Sequence, residues 1–224
     1  IFLKLLIPIS LHRADKIVGV SKFTAEEIAG YYKIDSKKIT WIHNAVSEDY
    51  LKQNVSEAKV EEVRKKYHLP ERYVLYIGTL QPRKNLPLLI EAYSIIKDKI
   101  PDLKLVLAGS KGYNYDKGID IVIEKYNLKN DVIFSGYIVG EDKPAFIKAA
   151  QILCMASFYE GFGIPILEAM AVGTPVVASD IPSQREVAGE AALFFNPGNS
   201  LELAENIETL LNDPEKKEAL TNKG

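Results

Sequence analysis

The sequence predicts an α/β chain whose main part is a Rossmann-like, doubly wound parallel sheet, preceded by a remnant of a second domain. Three observations predict it. From Tyr73 onward, β-branched runs alternate with stretches of helical period. Those runs are apolar nearly throughout rather than at every second position, which marks parallel strands covered on both faces. Between the first two runs, Leu86, Leu89, Ile90, Tyr93 and Ile96 fall on one face of a helix that packs against the sheet. Right-handed crossovers then make the sheet doubly wound.

Taken in order, residues 1–11 are apolar except for Lys4 and Ser10. The run is too short to span a bilayer, contains Pro8, and lacks the basic leader and small-residue cleavage site of a signal peptide. A helix from an interrupted domain is expected, with peripheral association at a membrane surface as the second reading. Residues 16–21 (KIVGVS) form a short strand, and residues 24–32 a helix capped by Thr24. A strand follows at 39–42. Residues 44–54 are polar and irregular, and 57–67 form a charged helix. The domain boundary is placed in that irregular stretch, giving units at 1–46 and 47–224. Five strands then follow, at 73–78, 103–109, 131–136, 175–179 and 192–195, with a helix at 200–211.

Composition excludes some partners. The 224 residues are 47% hydrophobic and 26% charged, within the range of soluble globular chains. Lys and Arg number 28 against 30 Asp and Glu, a net charge of -2, so no basic field exists to hold nucleic acid. The one cysteine, Cys154, sits in an apolar run and reads as a small buried hydrophobe in a reduced, cytoplasmic setting.

A doubly wound sheet binds ligands at the carboxyl ends of its strands. The most specific stretch near such an end is EGFGIPILEAMAVG at 160–173. Gly161 and Gly163 leave backbone amides uncovered, Pro165 suits a first helical turn, and the helix ends before Gly173. A helix N-terminus opening onto bare N–H groups favours an anion. Glu160 precedes that helix and Glu168 lies about one turn into it, so both can face one ligand and accept from hydroxyl groups. Surface charge near a helix dipole is the plainer alternative; the coincidence of two glutamates, two glycines and a proline favours a site. Arg83 and Lys84 follow a glycine turn after the first strand of the sheet. A guanidinium grips two phosphate oxygens and a neighbouring ammonium neutralises a third, which suits a diphosphate without a metal. No G-x-G-x-x-G follows a strand, which argues against an NAD dehydrogenase.

The segments GTLQPRKN at 78–85, AGSKG at 108–112, FSGY at 134–137 and YEGFGIPILEAMAVGTPVVAS at 159–179 resemble the group 1 family of glycosyltransferases. VSKFTAEEI and HNAV nearer the N-terminus resemble that family too, so the likeness covers nearly the whole chain. It implies a retaining, two-domain GT-B enzyme, with Glu160 and Glu168 matching an E-x7-E pattern. By this resemblance Arg83, Lys84 and Glu160 are the predicted catalytic residues, the two cations holding the donor diphosphate. Gly78 and Thr79 allow close approach and Glu168 binds the ribose. Glu160, with the amides of Gly161, Phe162 and Gly163, holds the sugar and distal phosphate. Backbone at Tyr137 and Ile138 and the side of Leu167 flank the base, although plain core packing explains Tyr137 and Leu167 equally well.

The implied donor is a GDP or UDP sugar of mannose or glucose type, with no metal and no further cofactor. The implied acceptor is a glycan or lipid-linked glycan, met through a domain that would lie before Ile1, at the inner face of a membrane. Attack on the face from which the diphosphate departs is the expected route, since no obvious nucleophile is present. Ala156 replaces a usual proline and Ala45 a usual glycine. His12, His43 and His68 do not match the family's histidine and read as surface or linker residues. The sequence stops soon after the helix at 200–211, before the closing helices the resemblance implies. A non-catalytic module of the same fold and a nucleotide-sugar epimerase without NAD are the rival readings.

Overall fold

The computed structural model describes residues 2–51 and 54–224. Ile1, at the head of the expected first helix, and residues 52–53 of the expected irregular stretch lie outside the described residues. The chain opens with helix α1 (Phe2–Arg13), which carries Pro8 in its interior and exposes Leu5, Leu6, Ile7 and Ile9. Strands β1 (Ile17–Gly19) and β2 (Ile39–Trp41) pair in parallel, with helix α2 (Lys22–Tyr32) between them. The cap of α2 is Ser21, three residues before the expected Thr24. Ser21 has extended backbone (φ -151, ψ 160), as a capping residue must, and its hydroxyl accepts from the Thr24 N–H, already inside the first turn. A 3-10 turn at Glu48–Tyr50 leads to α3 (Glu57–Lys66), capped by Ser56.

The remainder forms a six-stranded parallel sheet in the order β5-β4-β3-β6-β7-β8. Its strands are β3 (Arg72–Ile77), β4 (Leu103–Ala108), β5 (Val132–Gly136), β6 (Ile152–Met155), β7 (Val176–Ser179) and β8 (Ala192–Phe195). Five of these match the strands expected from the apolar runs. The sixth, β6, has no counterpart among the expected strands, because ILCM follows a helix of matching hydrophobicity with no glycine or proline between them. Every residue of β6 is buried, so no alternation betrays it.

Helices α4 (Leu86–Ile96), α5 (Gly118–Lys125) and α9 (Ser200–Asn212) pack together. Helices α3, α6 (Lys143–Lys148), α7 (Ile164–Val172) and α8 (Pro182–Ala188) form a second contiguous set. With both faces covered, β3 is buried from Tyr73 to Ile77 and β4 is buried at all but its second residue. Polar tips inside this core are satisfied: Tyr73 donates to the Phe146 carbonyl at 2.8 Å and Tyr93 to that of Leu103 at 2.7 Å. The five apolar positions expected to form one helix face are all buried in α4. After α9 the chain continues as α10 (Pro214–Lys223).

One feature of the order positions the site. From β3 the chain builds outward through β4 to β5, then returns to lay β6 on the other side of β3. That reversal is the switch point at which such sheets open a crevice beyond the carboxyl ends of the strands.

Candidate functional site

Because β3 and β6 are neighbours, the segments that leave their carboxyl ends meet. After β3, Arg83 and Lys84 lie in a 3-10 turn (Pro82–Lys84) that closes on Asn85 in the left-handed region, where α4 begins. After β6, the Phe158 N–H donates to the Arg83 carbonyl at 2.9 Å and joins the two segments. Glu160 then sits between the cations. Its Oε2 accepts from Arg83 Nη1 at 2.9 Å, and its Oε1 accepts from Lys84 Nζ and from Ser157 Oγ at 2.7 Å.

Lys84 and Glu160 are buried, while 45% of the Arg83 side chain remains exposed. Burial lowers the Lys84 pKa, and the Arg83 charge adds to that while Glu160 opposes it. Burial alone would raise Glu160, but Lys84, Ser157 and Arg83 outweigh it and hold its carboxyl below the usual range. Two cations against one carboxylate leave a surplus positive charge, and its exposed carrier is a guanidinium fixed by its bond to Glu160.

The loop from Glu160 runs into α7. Gly163 starts the helix at φ +114, a conformation that costs a side-chain-bearing residue energy, and Pro165 occupies the first turn. No protein group accepts from the N–H of Gly161, Phe162 or Gly163 among the described residues. Five residues into α7, Glu168 is buried and takes different partners from Glu160: its Oε1 accepts from Lys143 Nζ at 2.6 Å, and Tyr50 stands beside it. Its Oε2 is buried with no hydrogen-bond partner.

A cleft of about 590 Å³ opens over the carboxyl ends of β3 and β4 and the start of the segment after β5. Gly78, Thr79, Tyr137 and Ile138 all line it, as do Tyr50 and Lys143. Tyr137 is 78% exposed, so core packing does not account for it. Leu167 is half-buried on α7; neither it nor Glu168, nor the Arg83–Lys84–Glu160 cluster and the glycine loop at 161–163, is among the lining residues. Gly109 closes the floor: a Cβ there would lie 2.0 Å from the Gly78 carbonyl oxygen, so only glycine lets the two strand ends approach this closely. A hollow of about 840 Å³ near Arg64, Glu71 and Arg72 lies at the amino end of β3, away from the crevice that the topology creates. Among the described residues no group of three or more His, Cys, Asp or Glu side chains could hold a metal ion, and no helix is long and apolar enough to cross a membrane.

The N-terminal segment grips the same loop. Ser21 Oγ and Thr24 Oγ1 both donate to the Gly161 carbonyl, at 2.6 and 2.8 Å. Phe23 packs on Tyr159 with ring centroids 5.8 Å apart, and His43 on Phe162 at 5.6 Å. Glu186 of α8 accepts from the Lys22 and Phe23 N–H groups and bonds His43 Nε2 at 2.7 Å. His43 is half exposed, in keeping with the expected surface position, and it also bridges α8 and the glycine loop.

Sequence reasoning missed Lys143, Tyr50, Ser157, Ser21 and Thr24. Only Lys143 left a signal: a lysine opening a helix sits at the wrong end of the dipole and needs another partner. Ser157 lies three residues before Glu160, and Ser21 and Thr24 lie in the VSKFTAEEI stretch, but only the fold shows that their hydroxyls reach Glu160 and Gly161; Tyr50 meets Glu168 by a long-range contact.

A family model described as glycosyl transferases group 1 matches residues 59–224. The O-antigen chain mannosyltransferase B of Escherichia coli is 36% identical over 217 residues, covering 96% of this chain and 56% of that protein. The O-antigen chain mannosyltransferase RfbU of Salmonella typhimurium is 30% identical over 197 residues, covering 88% and 51%. Among solved structures, Anabaena Alr3699/HepE in complex with UDP and glucose superposes with a TM-score of 0.85 at 23% identity, over 98% of this chain and 59% of that one. WaaG, a glycosyltransferase involved in lipopolysaccharide biosynthesis, gives 0.80 at 18% identity, over 92% and 56%. The two structures bear on the fold, which is GT-B. This chain spans about half the length of these two mannosyltransferases.

Proposed function

The chain belongs to the group 1 glycosyltransferases, and from that premise we propose that the protein transfers a hexose from a nucleoside diphosphate sugar to an acceptor hydroxyl on a growing glycan, with retention at the anomeric carbon. The observation that carries this reading is the meeting of Arg83, Lys84 and Glu160 across the β3–β6 switch point, beside unpaired amides at the head of α7. Names of the relatives favour mannose, and glucose is the other candidate.

The hard step is departure of the diphosphate. In this reading the exposed face of Arg83 and the amides of Phe162 and Gly163 meet the distal phosphate. They stabilise negative charge as it grows on the leaving oxygen. Lys84 holds Glu160 in place, and Glu160 turns toward the hydroxyls of the sugar. Glu168, half-satisfied by Lys143, receives the ribose hydroxyls, while the base lies along Tyr137 and Ile138. Glu160 is engaged by three donors, which leaves it poorly placed as a nucleophile and favours attack on the face that the diphosphate leaves.

Residues 1–46 act as the edge of an acceptor-side domain, and 47–224 as the donor side. Calorimetric titration with UDP, GDP and ADP, together with transfer of radiolabelled sugar, tests the proposal. Micromolar binding of one diphosphate without turnover by this chain alone is expected. Absence of binding by all three would sink the reading, and efficient turnover would overturn the domain division.

A further inference from the structure

The glycine loop does not hold its own orientation. Gly161 lies within neither helix nor strand, its backbone dihedral is unexceptional, and its N–H meets no protein acceptor. What fixes its peptide is the pair of hydroxyls on α2: Ser21 Oγ and Thr24 Oγ1, both within 2.8 Å of the Gly161 oxygen and filling its two lone pairs. Ser21 is fully buried, so this contact excludes water. Among the described residues every peptide is trans, and in a trans peptide the carbonyl and the following N–H point in opposite directions. With the Gly161 oxygen drawn toward α2, the Phe162 N–H is directed away from it. Phe162 is a buried residue whose N–H meets no protein acceptor, which leaves that donor open to a ligand.

We infer that Ser21 and Thr24 are positioning residues for the donor: by fixing the Gly161–Phe162 peptide from the N-terminal side, they aim the Phe162 amide at the distal phosphate of the nucleotide. The inference rests on the phosphate role proposed above for that amide. It assigns to α2 a part in donor binding that no donor-contacting residue performs. Three further contacts keep α2 in register for it: Glu186 caps its first turn, Phe23 packs on Tyr159, and His43 joins Glu186 to Phe162.

Thr24→Val tests this while preserving shape, and it leaves Ser21 as the cap of α2. Dissociation constants are measured for UDP, GDP, UMP and GMP, with melting temperature recorded alongside. Loss of one hydrogen bond to the carbonyl is expected to weaken the preferred diphosphate about fivefold, to change the monophosphate less than about twofold, and to be restored by Thr24→Ser. An unchanged diphosphate affinity overturns the inference. So does equal weakening of monophosphate and diphosphate, or a loss that Thr24→Ser fails to restore, since either marks a merely structural contact. If the wild type itself binds diphosphate no better than monophosphate, the phosphate assignment fails first and the inference with it.

Discussion

Lys143 Nζ lies 2.6 Å from one oxygen of Glu168, and the other oxygen of that carboxylate is buried without a partner. A buried acceptor left open costs free energy unless something completes it, and two vicinal hydroxyls of a ribose would do so. Burial first, and then the neighbouring Glu168 carboxylate through its charge and its approach to the hydroxyl, push the Tyr50 phenol above its ordinary pKa. Lys143→Met should weaken the preferred nucleoside diphosphate about tenfold and its 2′,3′-dideoxy analogue much less, with Lys143→Arg intermediate. Calorimetry on the wild type and both variants with each ligand decides it, and equal losses for the two ligands would remove Glu168 from the ribose.

Arg83 carries the exposed positive charge of the cluster. Arg83→Ala should reduce affinity for the diphosphate by about tenfold to a hundredfold and leave the free nucleoside within about threefold. Equilibrium titration of both ligands checks this, and matching losses would place the guanidinium away from phosphate.

Gly109 and Gly30 make opposite predictions about stability. Gly109→Ala forces a methyl group against the Gly78 carbonyl and should cost about 3 kcal/mol. Gly30 lies inside α2 with nothing within 4 Å of the position a methyl group would take, so Gly30→Ala should gain about 0.5 kcal/mol. Urea denaturation of the two variants measures both signs.

Asp142 sets the acid limit. Burial would raise its pKa, but hydrogen bonds from Lys66 and Tyr67 and the ion pair with Lys59 reverse that and bring it down to about 2. A carboxylate depressed on folding adds stability above its ordinary value near pH 4, roughly, and loses it as pH falls toward about 2. Asp142→Asn should therefore destabilise the protein by about 2 kcal/mol near neutrality and flatten the stability profile across that window. Thermal melts from pH 7 downward follow it, and parallel profiles for the two proteins would refute the assignment.

Much of this architecture was legible in the chain. Strands such as β3 and β4 are continuous apolar runs bounded by turn residues, and the buried face of α4 follows the helical period. Strand β6 was not legible, since its four residues continue the hydrophobicity of α6 and the three-residue step at 149–151 holds no glycine, proline, asparagine or aspartate. The cap of α2 was displaced because Ser21 and Thr24 are both good capping types, and only the backbone dihedrals decide between them. At the site, glycines and charges announced themselves by type and position. Pairings such as Lys143 with Glu168, or Thr24 with Gly161, depend on tertiary approach and leave no periodic trace.

The placement of β6 beside β3 governs when the molecule can first recognise anything. Arg83 and Glu160 are 77 positions apart, and they touch only after the chain has traversed β4, β5 and the return crossover. Closing so long a loop is entropically expensive and kinetically late. A partly folded species holding β3, β4 and β5 would display native-like secondary structure yet be blind to nucleotide, so ligand capture would time the final closure of the sheet during refolding.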